Sequence, residues 1–130
     1  MVKVRDLTED EVEFSISRVK EDHEPDFESD DKDADERDRR EIRRRLDRGD
    51  LWAWCCVKVT AKWNGFEGVD YLGGCSYDGD EDFKKGGYWP DMKHEALAEL
   101  NRSVAETFAK LWPLAAQAEL PLDAEREALS

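Results

Sequence analysis

One hundred and thirty residues and 15.1 kDa suffice for one domain with a core and are too few for two. Thirty-three Asp and Glu against 20 Lys and Arg leave a net charge of −13 and a pI of about 4.6, which argues against a general nucleic-acid binder, because phosphate demands positive surface. Five Trp, five Phe and three Tyr exclude a largely disordered chain, so the composition describes an aromatic core in an acidic shell.

The first residues hold no apolar run of the kind a secretory signal carries, and no window approaches the ~18 apolar residues of a membrane helix. Three cysteines, two of them adjacent (Cys55, Cys56, Cys75), make a poor disulfide set. The expectation is a soluble, cytoplasmic chain. Residues 12–19 alternate Val12, Phe14 and Ile16 against Glu13, Ser15 and Ser17, the period of a half-buried strand. Residues 21–36 hold ten acids and one base and predict a self-repelling loop insert. Over 35–48 good helix formers follow, with seven Arg against three acids in 37–48. Asp33 or Asp35 suits its cap, Gly49 suits the position after its end, and Ile42 with Leu46 gives it one thin apolar ridge.

Leu51–Trp63 is rich in aromatic and β-branched residues, Asn64-Gly65 is a favoured two-residue hairpin turn, and Phe66–Tyr77 returns. In that register facing residues pair Trp63 with Phe66, Lys58 with Tyr71, Trp54 with Cys75 and Trp52 with Tyr77. One face then carries Leu51, Ala53, Cys55, Val57, Val59, Ala61 and Leu72 opposite Gly68 and Gly74, smooth enough to receive a helix. The other carries Trp52, Trp54, Cys56, Lys58, Thr60, Lys62, Val69, Tyr71, Cys75 and Tyr77. A longer turn would shift this pairing. Residues 78–90 read as a loop. Met92, Ala96, Leu97, Leu100, Val104, Phe108, Leu111 and Trp112 recur at helical spacing over 91–112, and Pro113 ends or kinks that helix. The predicted fold is α+β, in the order β-α-β-β-α, a small antiparallel sheet with the long C-terminal helix on one face. It forms one domain, 1–113, with a tail over 114–130.

The stretch Trp52-Ala53-Trp54-Cys55-Cys56-Val57, with Trp63-Asn64-Gly65-Phe66-Glu67-Gly68 and Tyr71-Leu72-Gly73-Gly74-Cys75-Ser76-Tyr77, resembles small acidic proteins encoded by tailed bacteriophages and prophages. With the 91–112 helix the likeness covers roughly half the chain. It implies an accessory role in infected or lysogenic cells, exercised by binding host machinery, and carries over no catalytic residues.

The residues themselves offer three candidate surfaces. Asp26, Glu28, Asp30, Asp31, Asp33, Asp35, Asp80, Glu81 and Asp82 form an acidic set that would meet a basic host protein, by solubilising charge alone or by mimicry of a phosphate lattice. Trp52, Trp54, Tyr71 and Tyr77 form an aromatic set suited to a partner or to a homodimer. Arg39, Arg40, Arg43 and Arg44, with those aromatics, form the alternative, a nucleic-acid contact. Adjacent Cys55 and Cys56 point to opposite faces and cannot clamp one metal. No thiol has a histidine base beside it, and the glycine pairs lack a phosphate-gripping Lys. The expectation is therefore a non-enzymatic phage accessory protein without metal or cofactor and without a membrane role. It would modulate a host defence or nucleic-acid-binding factor, self-associating assembly being the remaining alternative.

Overall fold

The computed structural model describes residues 3–21, 25 and 29–117. Strand β1 spans Glu13–Lys20, β2 Cys55–Trp63 and β3 Phe66–Cys75. They form one antiparallel sheet with β2 in the centre. Helix α1 (Lys32–Asp47) joins β1 to β2, the one-turn-and-a-half helix α2 (Asp80–Lys85) follows β3, and α3 (Tyr88–Gln117) closes the described chain. The architecture is the expected α+β fold.

The hairpin turn is dictated locally. Asn64 and Gly65 both take positive φ, 45° and 83°, the conformation a type I′ turn requires. From it the ladder runs Trp63–Phe66, Lys62–Glu67, Thr60–Val69, Lys58–Tyr71 and Val57–Leu72, as expected. It then slips by one residue: Cys55, not Trp54, faces Cys75. A bulge reverses which face each later side chain occupies. Trp52, Cys75 and Tyr77, expected on the face away from the long helix, turn into the core instead, and Trp52 and Cys75 are buried.

Helix α3 lies across β2 and β3. Cys55, Val57, Val59 and Ala61 are buried beneath Met92, Ala96 and Leu100. Gly68 is the point of closest approach: a Cβ there would stand 2.1 Å from the Ala96 carbonyl oxygen and 2.3 Å from the Leu100 nitrogen. Only a glycine lets the helix backbone descend this far. A second group centres on Phe83 of α2, which is fully buried, with Tyr77 5.1 Å and Trp52 6.0 Å from its ring. Residues 78–90, read as a loop, thus contain a helix whose one buried side chain completes the core.

Three boundaries move. Helix α1 starts at Lys32, capped by Asp31, whose carboxylate accepts from the Ala34 N–H at 3.0 Å, so residues 32–36 of the expected acidic loop are helical. Leu51–Ala53 form a 3₁₀ turn capped by Asp50 rather than the start of a strand, and Leu51 is exposed. Helix α3 starts three residues early and passes through Pro113 to Gln117, so the boundary expected at 113 falls inside a helix.

Candidate interaction surface

The two sides of the sheet differ in what covers them. Among the described residues only α3 packs broadly against the strands. On the opposite side, among the described residues, the strands present Ser15, Ser17 and Val19 from β1, Cys56, Lys58, Thr60 and Lys62 from β2, and Val69 and Tyr71 from β3, with Glu13 and Glu67 at one end. Trp54 belongs to this side as well, its indole 3.5 Å from where a Cβ on Gly74 would stand. Val19 and Tyr71 are 43% and 55% exposed. Thr60, on the central strand between Ser15 and Val69, is the buried exception. The Lys58 ammonium lies 5.9 Å from the Tyr71 ring, and Lys62 faces Glu67 at 3.6 Å. At the rim the Glu21 carboxylate accepts from the Gly74 N–H at 2.6 Å, tying the end of β1 to β3 across β2. The strands give this face two lysines and two glutamates, and Glu21 adds a third acid at the rim, so it is near neutral while the chain as a whole carries −13.

Of the four aromatic candidates, Trp54 and Tyr71 lie on this face and Trp52 and Tyr77 do not. The Trp52 indole N–H donates to Asp80 at 3.1 Å beneath the Arg18 guanidinium, which is 5.5 Å from the ring and 3.5 Å from the same carboxylate. The acidic candidates divide similarly. Asp31 is a helix cap. Asp35 is buried, accepting from the Ser29 hydroxyl at 2.6 Å and the Ser29 N–H at 3.0 Å, and these bonds hold its pKa below the usual carboxylate range. Glu81 pairs with Lys84, and Asp82 accepts from the Asp78 N–H. Asp30 and Asp33 are exposed. Asp26 and Glu28 lie outside the described residues.

The arginine candidates sit on α1, but acids interleave with them. Over Lys32–Asp47 there are seven bases and six acids. Arg39 bonds the Pro25 carbonyl and pairs with Glu36, Arg40 bonds the Glu36 carbonyl, and Arg44 pairs with Glu41 at 2.8 Å. Arg43 is exposed. This is a helix stabilised by its own i,i+3 and capping contacts more than a uniform basic stripe.

Two anchoring residues carry no signal of their own in the sequence. Arg45 bonds Asp50 at 2.8 Å and the Tyr77 carbonyl at 2.5 Å; the guanidinium bond is the first cause holding the Asp50 carboxyl below its ordinary pKa. Asn101 of α3 accepts from the Leu7 N–H and donates to the Leu7 carbonyl, pinning the N-terminal segment along the helix. One is an arginine among six in its helix, the other a polar residue on a helix flank, and only the tertiary partners distinguish them.

Burial pushes the Cys55 thiol up to about 11 and the Cys75 thiol upward too, so both stay protonated at neutral pH. Such thiols are poor nucleophiles and poor metal ligands. Among the described residues no group of three or more His, Cys, Asp or Glu is placed to hold a metal ion, and no helix is long and apolar enough to cross a membrane. Comparison with family models, with curated proteins and with solved structures gives no match. The class that fold and surface define is an acidic α+β domain with a three-stranded sheet that, among the described residues, is clad by a helix on one side.

Proposed function

We propose that this chain is a non-enzymatic binding protein that docks a partner protein on the unclad face of its sheet. The observation that carries the reading is the near-neutral, partly aromatic face in a molecule of net charge −13. A near-neutral face does not repel a partner of either sign, and exposed Tyr71 and Val19 supply apolar area for an anchor. The surrounding carboxylates speed the encounter with a basic surface without being buried themselves. In the setting implied by the likeness to phage proteins, the partner is a basic host protein of defence or nucleic-acid metabolism. Exposed Asp30 and Asp33, with the acids between β1 and α1, would then occupy part of its phosphate-binding surface.

The test is affinity capture from host lysate, with the captured protein identified and then titrated. Binding is expected to weaken in Tyr71→Asp and Val19→Asp and to slow as salt rises and the Debye length shortens. Binding indifferent to both substitutions would remove the sheet face from the interface. A gel shift with single-stranded DNA or RNA at low salt is expected to be negative. A shift lost in Arg43→Glu would instead support the arginine helix as a nucleic-acid contact.

A further inference from the structure

The apolar stripe of α3 does not stop where the sheet does. Met92, Ala96 and Leu100 are buried on the strands, and Val104 is the last residue of the helix packed against that core. At the same helical spacing the stripe continues through Thr107, Leu111 and Leu114. Yet Leu111 and Leu114 are 54% and 62% exposed, and Trp112, stacked on Phe108 at 5.8 Å, is 42% exposed. From Val104 to Gln117 the helix runs on for about 20 Å. Beside it Lys3, Val4 and Asp6 wall a groove of about 470 Å³ with Phe108, Ala109, Trp112 and Pro113.

We infer that this overhang is the docking surface for a second copy of the chain, which meets it as an antiparallel helix pair about a two-fold axis near Phe108. The charges argue for this occupant. Between Ser103 and Gln117 the only ionised side chains are Glu106 and Lys110, so two like-charged molecules approach each other here through a neutral strip. A two-fold axis at Phe108 sets Glu106 of each copy level with Lys110 of the other, two ion pairs from one operation. It also sets Val104 of each copy level with Trp112 of the other, so each copy's last packed residue adjoins the other's exposed indole. An isologous contact needs this self-complementarity, and an antiparallel pair joins these flanks. A basic partner, the occupant proposed for the sheet face, would find no excess of acid on this strip.

Sedimentation of the full chain from micromolar to near-millimolar concentration tests the pairing. The expected result is a rise from the 15.1 kDa monomer toward twice that mass, strengthened by salt because salt screens the −13 carried by each copy. That salt response is opposite in sign to the one expected of the sheet face, so the two readings fail separately. Leu111→Glu, at an exposed position that leaves the core intact, is expected to hold the chain monomeric. Glu106→Lys and Lys110→Glu should each weaken association severalfold, and the double reversal should restore it. A monomer at every concentration, a dimer unmoved by Leu111→Glu, or single and double reversals of equal effect would each overturn the inference.

Discussion

The two faces of the sheet are built from alternate residues of the same strands, yet they hold different kinds of residue. Toward α3 stand Cys55, Val57, Val59 and Ala61, small or branched and fully buried; away from it stand Lys58, Tyr71, Val19 and Ser17, all but one exposed. Alternation alone separates the sets. What decides which set meets the helix is side-chain height: the covered side has Gly68 on β3 and no long side chain on β2, so a helix can approach until its backbone touches the strand. The other side has a lysine and a tyrosine standing side by side, the ammonium 5.9 Å from the ring centre, and admits no comparable approach. The clad face is thus specified for one occupant, and the other, among the described residues, is left without a helix.

Gly68→Val is the strongest way to break that distinction. Its Cβ alone would lie inside the Ala96 carbonyl and the Leu100 nitrogen, both backbone atoms of a packed helix. Overpacking of a core costs about 1–3 kcal/mol, occasionally more, and here neither atom is at the end of a flexible side chain. Urea unfolding should show a loss at the top of that range, ~3 kcal/mol or beyond. A loss under about 1 kcal/mol would mean that α3 is not held as close as its position implies.

Arg45→Met sharpens the comparison from the end of the sheet, where α1 and the 3₁₀ turn meet. The guanidinium is mostly buried and holds both Asp50 and the Tyr77 carbonyl. Removing a partner from a buried acceptor costs about 1–3 kcal/mol, measurable as a lower urea midpoint at pH 7. Truncation of Arg37, exposed on the same helix, should move it by less than about 0.5 kcal/mol.

Acid should attack the same connections before it attacks the clad face. The folded chain holds Asp50 and Asp35 below the ordinary carboxylate range, and the Arg5 guanidinium with the Thr8 N–H holds Glu11 down at about 2. Carboxyls depressed in the folded state contribute stability that is complete above their unfolded pKa values. It is lost as pH falls from about 4 toward 2. Urea midpoints at pH 7, 5 and 3 should therefore be nearly equal over the first interval and drop over the second, and Arg45→Met should flatten part of that drop.

These contrasts show how far the sequence reaches. The hairpin, its Asn64-Gly65 turn, the smooth face and the helix above it are local or periodic properties, and the structure has them all. The inward turn of Trp52 and Tyr77 is not periodic. For Tyr77 it depends on one extra residue of β3 between Leu72 and Cys75, opposite the regular step from Val57 to Cys55, which gives every later side chain of that strand the opposite face; for Trp52 it depends on the 3₁₀ turn Leu51–Ala53 that precedes β2. Asp35 is similarly hidden: among ten acids in sixteen residues, nothing local singles out the one that Ser29 will bind. The position of Phe83 was obscured by its neighbours, since Asp78-Gly79-Asp80-Glu81-Asp82 has the composition of a loop and only the burial of one aromatic makes it a helix.

The smallest expected effect on stability is the most informative about function. Tyr71→Ser removes a ring that is 55% exposed and whose one close ionic neighbour is Lys58 at 5.9 Å. An exposed substitution of this kind should change stability by less than about 0.5 kcal/mol. The small remainder reflects a cation–π contact weakened by water and the loss of some β propensity. The urea midpoint should therefore coincide with that of the unaltered chain, while capture of a partner falls. If the midpoint drops by 2 kcal/mol or more, Tyr71 is supporting packing and the face is not free. If neither stability nor capture changes, the ring stands at the rim of whatever contact the sheet makes, and Val19 and Trp54, farther from the hairpin turn on the same face, become its centre.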